Sequence, residues 1–447
     1  MTISIRRIFQ TWWPLAASWL LMSAELPALS AVVARLPDPE IHLAAYGGVV
    51  FPVALLIESP IIMLLAASTA LSKDWASYVK LRRFMMTAGA VLTAFHALLV
   101  FTPLYDIIIV GLLHPPEEII APARIGLIIM LPWTWSIAYR RFHQGVLIRF
   151  NRSRTISVGT IIRLIADLVV LMVGYSLQSV PGIVVATSAV AAGVISEAVY
   201  VGIVVRPVLR NELRFAKPVE EPLTMSSFMS FYIPLVMTAL LSLLIQPMGS
   251  AALGRMPQPL VSLAAWPVVN GLVFSLRSLG IAYNEVVVAL LDENGSSRNL
   301  RRFSWMMAAG TTALLFLITA TPLAEIWFVQ VTAVNPDLAQ LAKSVLWLAL
   351  PIPGLTVFQS WYQGTLLHSR QTRYITESVV IFLSLSAALL ALGVVWGGIP
   401  GLYVVMGSFV ISTTAQTGWL WLRSRGAIRS VFQRDLAFER NGVTESC

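Results

Sequence analysis

Charge is scarce in this sequence. Asp, Glu, Lys and Arg together make up 12% of its 447 residues, where a soluble domain carries roughly a quarter. That scarcity excludes a large water-soluble protein. From 378 to 422 there is no charged residue at all. A bilayer-spanning helix needs about 20 apolar residues, so that stretch holds two spans and their turn. Cysteine is nearly absent too. The one Cys, Cys447, is the last residue, which excludes a disulfide framework and a cysteine metal site and leaves no room for a prenylation box after it. No Walker loop, dinucleotide fingerprint or His-Glu metal helix occurs. Neither an enzyme nor a cofactor is expected, and no ATPase partner is implied.

Apolar residues are what the chain has in abundance, 57% of it, with a mean hydropathy of +0.77. The net charge of +9 would suit a nucleic-acid partner, but such proteins cluster basic residues on one exposed face. Here they sit between apolar runs, so no nucleic acid is expected. Apolar segments fall at about 11–34, 41–72, 84–104, 121–148, 156–179 and 180–206, then at 228–253, 258–291, 303–326, 338–367, 373–396 and 399–422. Arg6-Arg7 before the first run resembles a twin-arginine signal. The run that follows is long, contains Glu25 and lacks a small-residue cleavage site, so it reads as the first span. The fold class expected is an all-α polytopic membrane protein of twelve transmembrane helices.

Positive residues accumulate on the cytoplasmic side of membrane proteins. With both termini cytoplasmic, every Lys and Arg falls on that side except Arg35, Arg124, Arg163, Arg255, Arg277 and Lys343. A multi-pass protein of the plasma membrane, in bacteria the inner membrane, with N- and C-termini inside, is the expected topology.

The two halves repeat. Leu81-Arg82-Arg83-Phe84 recurs as Leu300-Arg301-Arg302-Phe303, Thr102-Pro103-Leu104 as Thr321-Pro322-Leu323, Leu131-Pro132 as Leu350-Pro351, Gln144-Gly145 as Gln363-Gly364 and Pro181-Gly182 as Pro400-Gly401, always 219 positions apart. Six spans per unit return the chain in the same orientation, which makes the repeats parallel. The expected organisation is an N-terminal six-helix lobe over 1–206, a cytoplasmic linker over 207–227 and a C-terminal lobe with a short basic tail over 228–447, the lobes surrounding a central cavity.

Ionisable side chains inside spans are costly and face a cavity or a partner. Glu25, Glu58, Arg163, Asp167, Glu197, Arg277 and Glu285 fall there. Glu58 and Arg277 stand 219 apart, so they occupy equivalent positions in the two repeats. They suit a gate pair, or a coupling carboxylate opposite an arginine for an anion; pairing of each within its own lobe is the plainer alternative. Arg163 and Asp167 share a helix face at i,i+4 and read as a neutralising pair. Glu197 and Glu285 are further buried charges. Arg140, Arg141 and His143 read first as a positive-inside cluster. In the second reading they line the vestibule, where guanidinium groups suit carboxylate or phosphate. Pro132 and Pro351 would kink the fourth and tenth helices, and Trp12, Trp13, Trp419 and Trp421 read as interface anchors.

Twelve spans, a parallel repeat and a mid-chain linker resemble the multidrug/oligosaccharidyl-lipid/polysaccharide exporter superfamily, which includes the MATE transporters. Leu43-Ala44-Ala45-Tyr46-Gly47, Phe95-His96-Ala97-Leu98-Leu99, Leu113-His114 and Gly145 with Leu147 resemble most the progressive ankylosis family, which also carries an arginine where Arg277 falls. That resemblance implies export of pyrophosphate-, nucleotide- or citrate-like anions, and the chain departs from the animal members in lacking their long charged tail. Three functions follow. The first is a secondary transporter exporting a small organic or phosphorylated anion by alternating access, with Arg277, Glu58, Arg140, Arg141 and His143 at the substrate and Glu25 and Glu58 coupling a proton or sodium gradient. The second is proton- or sodium-coupled efflux of cationic drugs, and the third a lipid-linked precursor flippase.

Overall fold

The computed structural model describes residues 3–444 other than 153, 292, 294 and 370, with side chains described as far as 437. Arg370, the Arg440 side chain and Cys447 therefore lie outside the described residues. Every element among the described residues is helical. Nine helices among the described residues are long and apolar enough to cross a membrane: Ile5–Val33, Pro39–Leu71, Trp75–Phe101, Arg154–Leu177, Gly182–Phe215, Met225–Leu253, Pro259–Leu290, Ser297–Ala320 and Arg373–Trp396. Two further spans are bent pairs, Glu117–Ile129 with Leu131–Arg149 at 43° and Pro336–Ala349 with Pro351–His368 at 41°. The helix Gly401–Thr444, uncharged to 422, completes the twelve expected.

The repeat is visible in backbone detail. Both bends fall at Leu131-Pro132 and its counterpart Leu350-Pro351, where a proline at the first or second helical position has no N–H to continue the preceding helix. Thr102 and Thr321 are extended breaks whose hydroxyls donate back to Leu98 O at 2.7 Å and Leu317 O at 2.6 Å. Each break leads to a widened π-helical segment, Asp106–Leu113 and Ile326–Val331. Left-handed residues recur at the same offset, His114 with Ala333 and Gln178 with Gly397. Gly145 and Gly364 also match. A Cβ on Gly145 would lie 1.8 Å from Ser68 Oγ and 2.4 Å from the Leu65 carbonyl, and one on Gly364 would lie 2.6 Å from Val287 and 3.4 Å from the Asn284 carbonyl. Ser68 and Val287, like Leu65 and Asn284, are 219 apart.

The chain divides into two compact units, one of residues 1–27 and 268–447, the other of 28–267. These differ from the repeat boundaries, because each unit contains a helix from the opposite repeat. In the first unit, Trp12 donates its indole N–H to Leu279 O at 3.0 Å and packs on Phe303, and Arg7 pairs with Glu293 at 2.7 Å. Trp12 is thus a buried packing residue, not the interface anchor its position near a helix end suggests. In the second unit, Phe84 packs edge-on against Phe228 and Tyr232, and Tyr232 donates to Pro60 O. The expected linker is also shorter, since Gly182–Asn211 runs through Pro207 and the next long helix starts at Met225.

Two helix starts outside the apolar segments are capped by aspartate. Asp74 accepts from the Ser77 amide at 2.9 Å; Asp435 accepts from the Ser297 amide at 2.9 Å, across 138 positions. Burial raises both carboxyls, but the hydrogen bonds from Ser77 and Ser297 outweigh it and hold them below the usual aspartate range. A depressed value means the caps stabilise above the unfolded aspartate pKa, near 3.9, and lose that contribution as pH falls through the folded value. Asp74→Ala and Asp435→Ala should each cost about 1 kcal/mol at neutral pH, a deficit that thermal melts in detergent should show shrinking below about pH 4. In the same assay Gly145→Ala should cost about 1–3 kcal/mol by overpacking, whereas Gly310→Ala, with nothing within 4 Å, should not destabilise.

Candidate functional site

The unit of residues 28–267 encloses a set of charges drawn from four helices. Arg140 is 4% exposed and Glu197 1%, and they form a buried ion pair. Gln144, one turn beyond Arg140, donates to the other Glu197 oxygen at 2.9 Å. Glu197 fits because Gly159 faces it; a Cβ there would lie 3.3 Å from Glu197 Cγ. Asp167 pairs with Arg163 at 3.8 Å and lies over Gly193, whose missing side chain leaves the space that Asp167 Oδ1 fills.

Glu58, on the second helix, is 3% exposed, and its Oε2 has no hydrogen-bond partner among the described residues. The charges acting on it are those of Arg141, Arg140 and Arg163. Arg141 forms no ion pair among the described residues, its buried Nε has no partner, and the carboxylates acting on it are Glu58 and Glu197. The set balances, with Arg140, Arg141 and Arg163 against Glu58, Asp167 and Glu197, yet two of the six are not directly paired. This is an interior cluster, so the positive-inside reading of Arg140 and Arg141 gives way to burial. His143, on the same helix, donates Nδ1 to Tyr139 O at 2.8 Å, and its ring lies against Tyr139 and Phe142.

Arg277 and Glu25 belong to the other unit. Glu25 begins the second piece of the broken first span. Glu285 is exposed, which corrects its expected burial; its position on the Pro259–Leu290 helix turns outward while Tyr283, Val286 and Val287 fill the core. Arg277 donates Nε to Thr356 Oγ1 at 3.3 Å and forms no ion pair among the described residues.

Comparison of the repeats shows what the sequence reading missed. Gln359 and Gln416 stand 219 after Arg140 and Glu197 and touch each other at 3.1 Å, with Thr417 also accepting from Gln359. A charged pair in one repeat is an amide pair in the other. Ser386 replaces Asp167, Ser360 replaces Arg141, and Arg277 replaces Glu58. The offset applied to every polar residue, rather than to the motifs alone, would have shown that Arg140 and Glu197 both give way to glutamine in the second repeat. No group of His, Cys, Asp and Glu among the described residues could hold a metal ion.

No family model and no curated protein matches the chain. Solved structures match it along nearly its whole length. A multidrug resistance MATE family transporter of the MOP superfamily, in an inward-facing conformation, aligns with a TM-score of 0.72 and 14% identity, over 93% of this chain and 96% of that one. A Vibrio cholerae MATE transporter in a bent form aligns at 0.60 and 19%, over 96% and 97%. A MOP superfamily transporter from Pyrococcus furiosus, described as having a binding pocket of reverse polarity, aligns at 0.62 and 15%, over 96% and 97%. The chain has the fold of the MATE transporters. The likeness stops at that level, and the narrower resemblance to the progressive ankylosis family rests on the short motifs alone.

Removing one partner of a buried ion pair leaves the other charge uncompensated and costs about 3–5 kcal/mol, whereas replacing both is far milder. Glu197→Ala should therefore lower the folded yield and melting temperature sharply. The double variant Arg140→Gln/Glu197→Gln, which installs the amide pair of the second repeat, should recover most of the loss. Equal damage in both variants would mean that Arg140 and Glu197 do not act on stability as a pair.

Proposed function

We propose that this protein is a secondary transporter of the plasma membrane, with both termini cytoplasmic, that exports a small organic or phosphorylated anion by alternating access. Arg277 carries the reading. An uncompensated charge in a low-dielectric interior is costly, and Arg277 lies within a span with a threonine hydroxyl, not a carboxylate, at its guanidinium. The positions that supply anions in the first repeat are Gln416, Ser386 and Arg277 itself in the second. The solute would supply the missing negative charge, and a guanidinium fork matches carboxylate or phosphate through two parallel hydrogen bonds.

Glu58 is the coupling carboxylate in this reading. Its open oxygen sits among three arginines, so taking up a proton or a sodium ion shifts the balance of that cluster by one positive charge. Glu25, at the break in the first helix, is a second candidate for the ion. Arg141, lacking an ion pair, is the further cation available to an anionic solute, with Arg140 held back by Glu197.

Efflux of cationic drugs is the second reading. It is favoured by the neighbours described as multidrug resistance transporters and by the same open oxygen of Glu58. The fold serves more than one purpose, as the Pyrococcus furiosus protein's reverse-polarity pocket illustrates. Efflux from proteoliposomes separates the two: pyrophosphate, citrate and nucleotide should leave, and ethidium should not. Arg277→Ala should slow anion export roughly tenfold or more, since a hydrogen bond to a charged group contributes about 1.5–3 kcal/mol, while leaving the protein folded and abundant. Dye efflux without anion flux refutes the anion reading. Full anion export by Arg277→Ala removes Arg277 from the site.

A further inference from the structure

The unit of residues 1–27 and 268–447 contains a cavity of about 370 Å³ lined by Arg301, Arg425 and Arg429 and by the rings of Trp305, Trp361 and Trp421, among others. No carboxylate lines it, and none of the three arginines forms an ion pair among the described residues. Arg425 stacks over Trp421 at 3.6 Å and Arg301 lies over Phe432 at 6.0 Å, so two of the guanidiniums are held by rings rather than by anions.

Its position in the chain places this cavity at a membrane surface. Arg301 is near the start of Ser297–Ala320. Arg425 and Arg429 follow within two turns of 422, where the uncharged run of the last helix ends. Trp305 is 59% and Trp421 45% exposed, as expected of indoles at the headgroup level. A basic pocket between helices at that depth suits an anionic headgroup.

The first repeat provides an internal contrast. Arg82, Arg206 and Arg210 stand 219 before the three arginines, but Gly202 stands where Trp421 does. Tyr139 closes onto Gly202, its hydroxyl 2.7 Å from where a Cβ would lie. The groove there is lined by Arg206, with neither Arg82 nor Arg210. Of these two places, the one with the tryptophan wall gathers all three arginines around one cavity.

We infer that the cavity formed by Arg301, Arg425, Arg429, Trp305 and Trp421 binds the phosphate headgroup of an acidic phospholipid, as a site separate from the transported solute. Native mass spectrometry of the full chain, released from nanodiscs of phosphatidylglycerol in phosphatidylcholine, tests it. One phosphatidylglycerol should stay bound. The variant Arg301→Gln/Arg425→Gln/Arg429→Gln should hold it roughly a hundredfold more weakly, and Arg429→Gln alone about fivefold. Arg82→Gln/Arg206→Gln/Arg210→Gln should hold it as the unaltered chain does. Unchanged retention in the first triple variant, or an equal loss in both, overturns the proposal. So does complete displacement of the lipid by millimolar inorganic phosphate, which would give the pocket to a soluble anion. Should the triple variant not elute as a folded species, the single variant carries the test.

Discussion

A charge inside a hydrocarbon-like interior has to be answered by another charge or by a ligand, and the two repeats meet that demand differently. Moving an ion out of water costs several kcal/mol even after relaxation, so a polar position cannot drift freely between charged and neutral side chains. The first repeat answers within itself, three arginines against three carboxylates. The second has removed both members of the Arg140–Glu197 pair together, leaving Gln359 and Gln416 in contact. It has likewise lost both members of the Arg163–Asp167 pair, to Phe382 and Ser386, and Arg141 to Ser360. Such joint replacement is what the energetics favour, because the half-changed state carries an orphaned ion. Arg277 alone breaks the rule. It is the one place in the second repeat where a carboxylate position has become a cation, with no compensating partner among the described residues, and function is sought where a local rule is broken.

Backbone features persist between the repeats more faithfully than side-chain chemistry. The Thr-Pro breaks, the π-helical segments after them, the bends at Leu131-Pro132 and Leu350-Pro351 and the left-handed residues at helix ends all recur. Within a membrane each backbone N–H and C=O must find a partner inside the protein. A change in path therefore disturbs many hydrogen bonds at once, whereas a side-chain substitution disturbs one. Gly145 and Gly364 show the sterics of this persistence. Different neighbours, Ser68 and Val287, crowd the same missing Cβ.

The fold was largely legible in the sequence because its determinants are one-dimensional. Span count follows from uncharged runs about 20 residues long, and the duplication follows from a constant spacing. Helix breaks follow from Thr102-Pro103 and Leu131-Pro132, where local chemistry suffices. The site was less legible because partners lie far apart. Arg140 and Glu197 are separated by 57 positions, and nothing local indicates that they meet. Arg163 and Asp167 were readable because they share a helix face at i,i+4. Glu285 was misread because polar residues lie on two sides of its helix, Arg277 and Asn284 on one and Ser278 and Glu285 about 100° round from them, and hydropathy does not say which side is buried. Trp12 was misread because position near a helix end says nothing about which neighbour offers a carbonyl, here Leu279.

One irregularity ties the backbone to the candidate site. Leu43-Ala44-Ala45-Tyr46-Gly47 is matched by Leu263-Ala264-Ala265-Trp266-Pro267, at a spacing of 220 rather than 219. The left-handed residues Asp38 and Gln258 before them keep the same 220 spacing. By Ser59 and Ser278 the spacing has returned to 219, so the first repeat carries one extra residue between. The π-helical segment Tyr46–Val50 lies at the start of that interval. A single inserted residue would rotate everything beyond it by about 100° in a regular α-helix, turning Glu58 away from Arg141. A π-turn absorbs one residue locally, so the helix beyond keeps its face. The widened turn is accommodated where Pro267 and Leu263 press on Gly47 and Gly48, each within 3 Å of a missing Cβ. The buried place of Glu58 among the arginines thus depends on an adjustment some three turns earlier in the same helix. It is also what makes Glu58 and Arg277 equivalent positions with opposite charge.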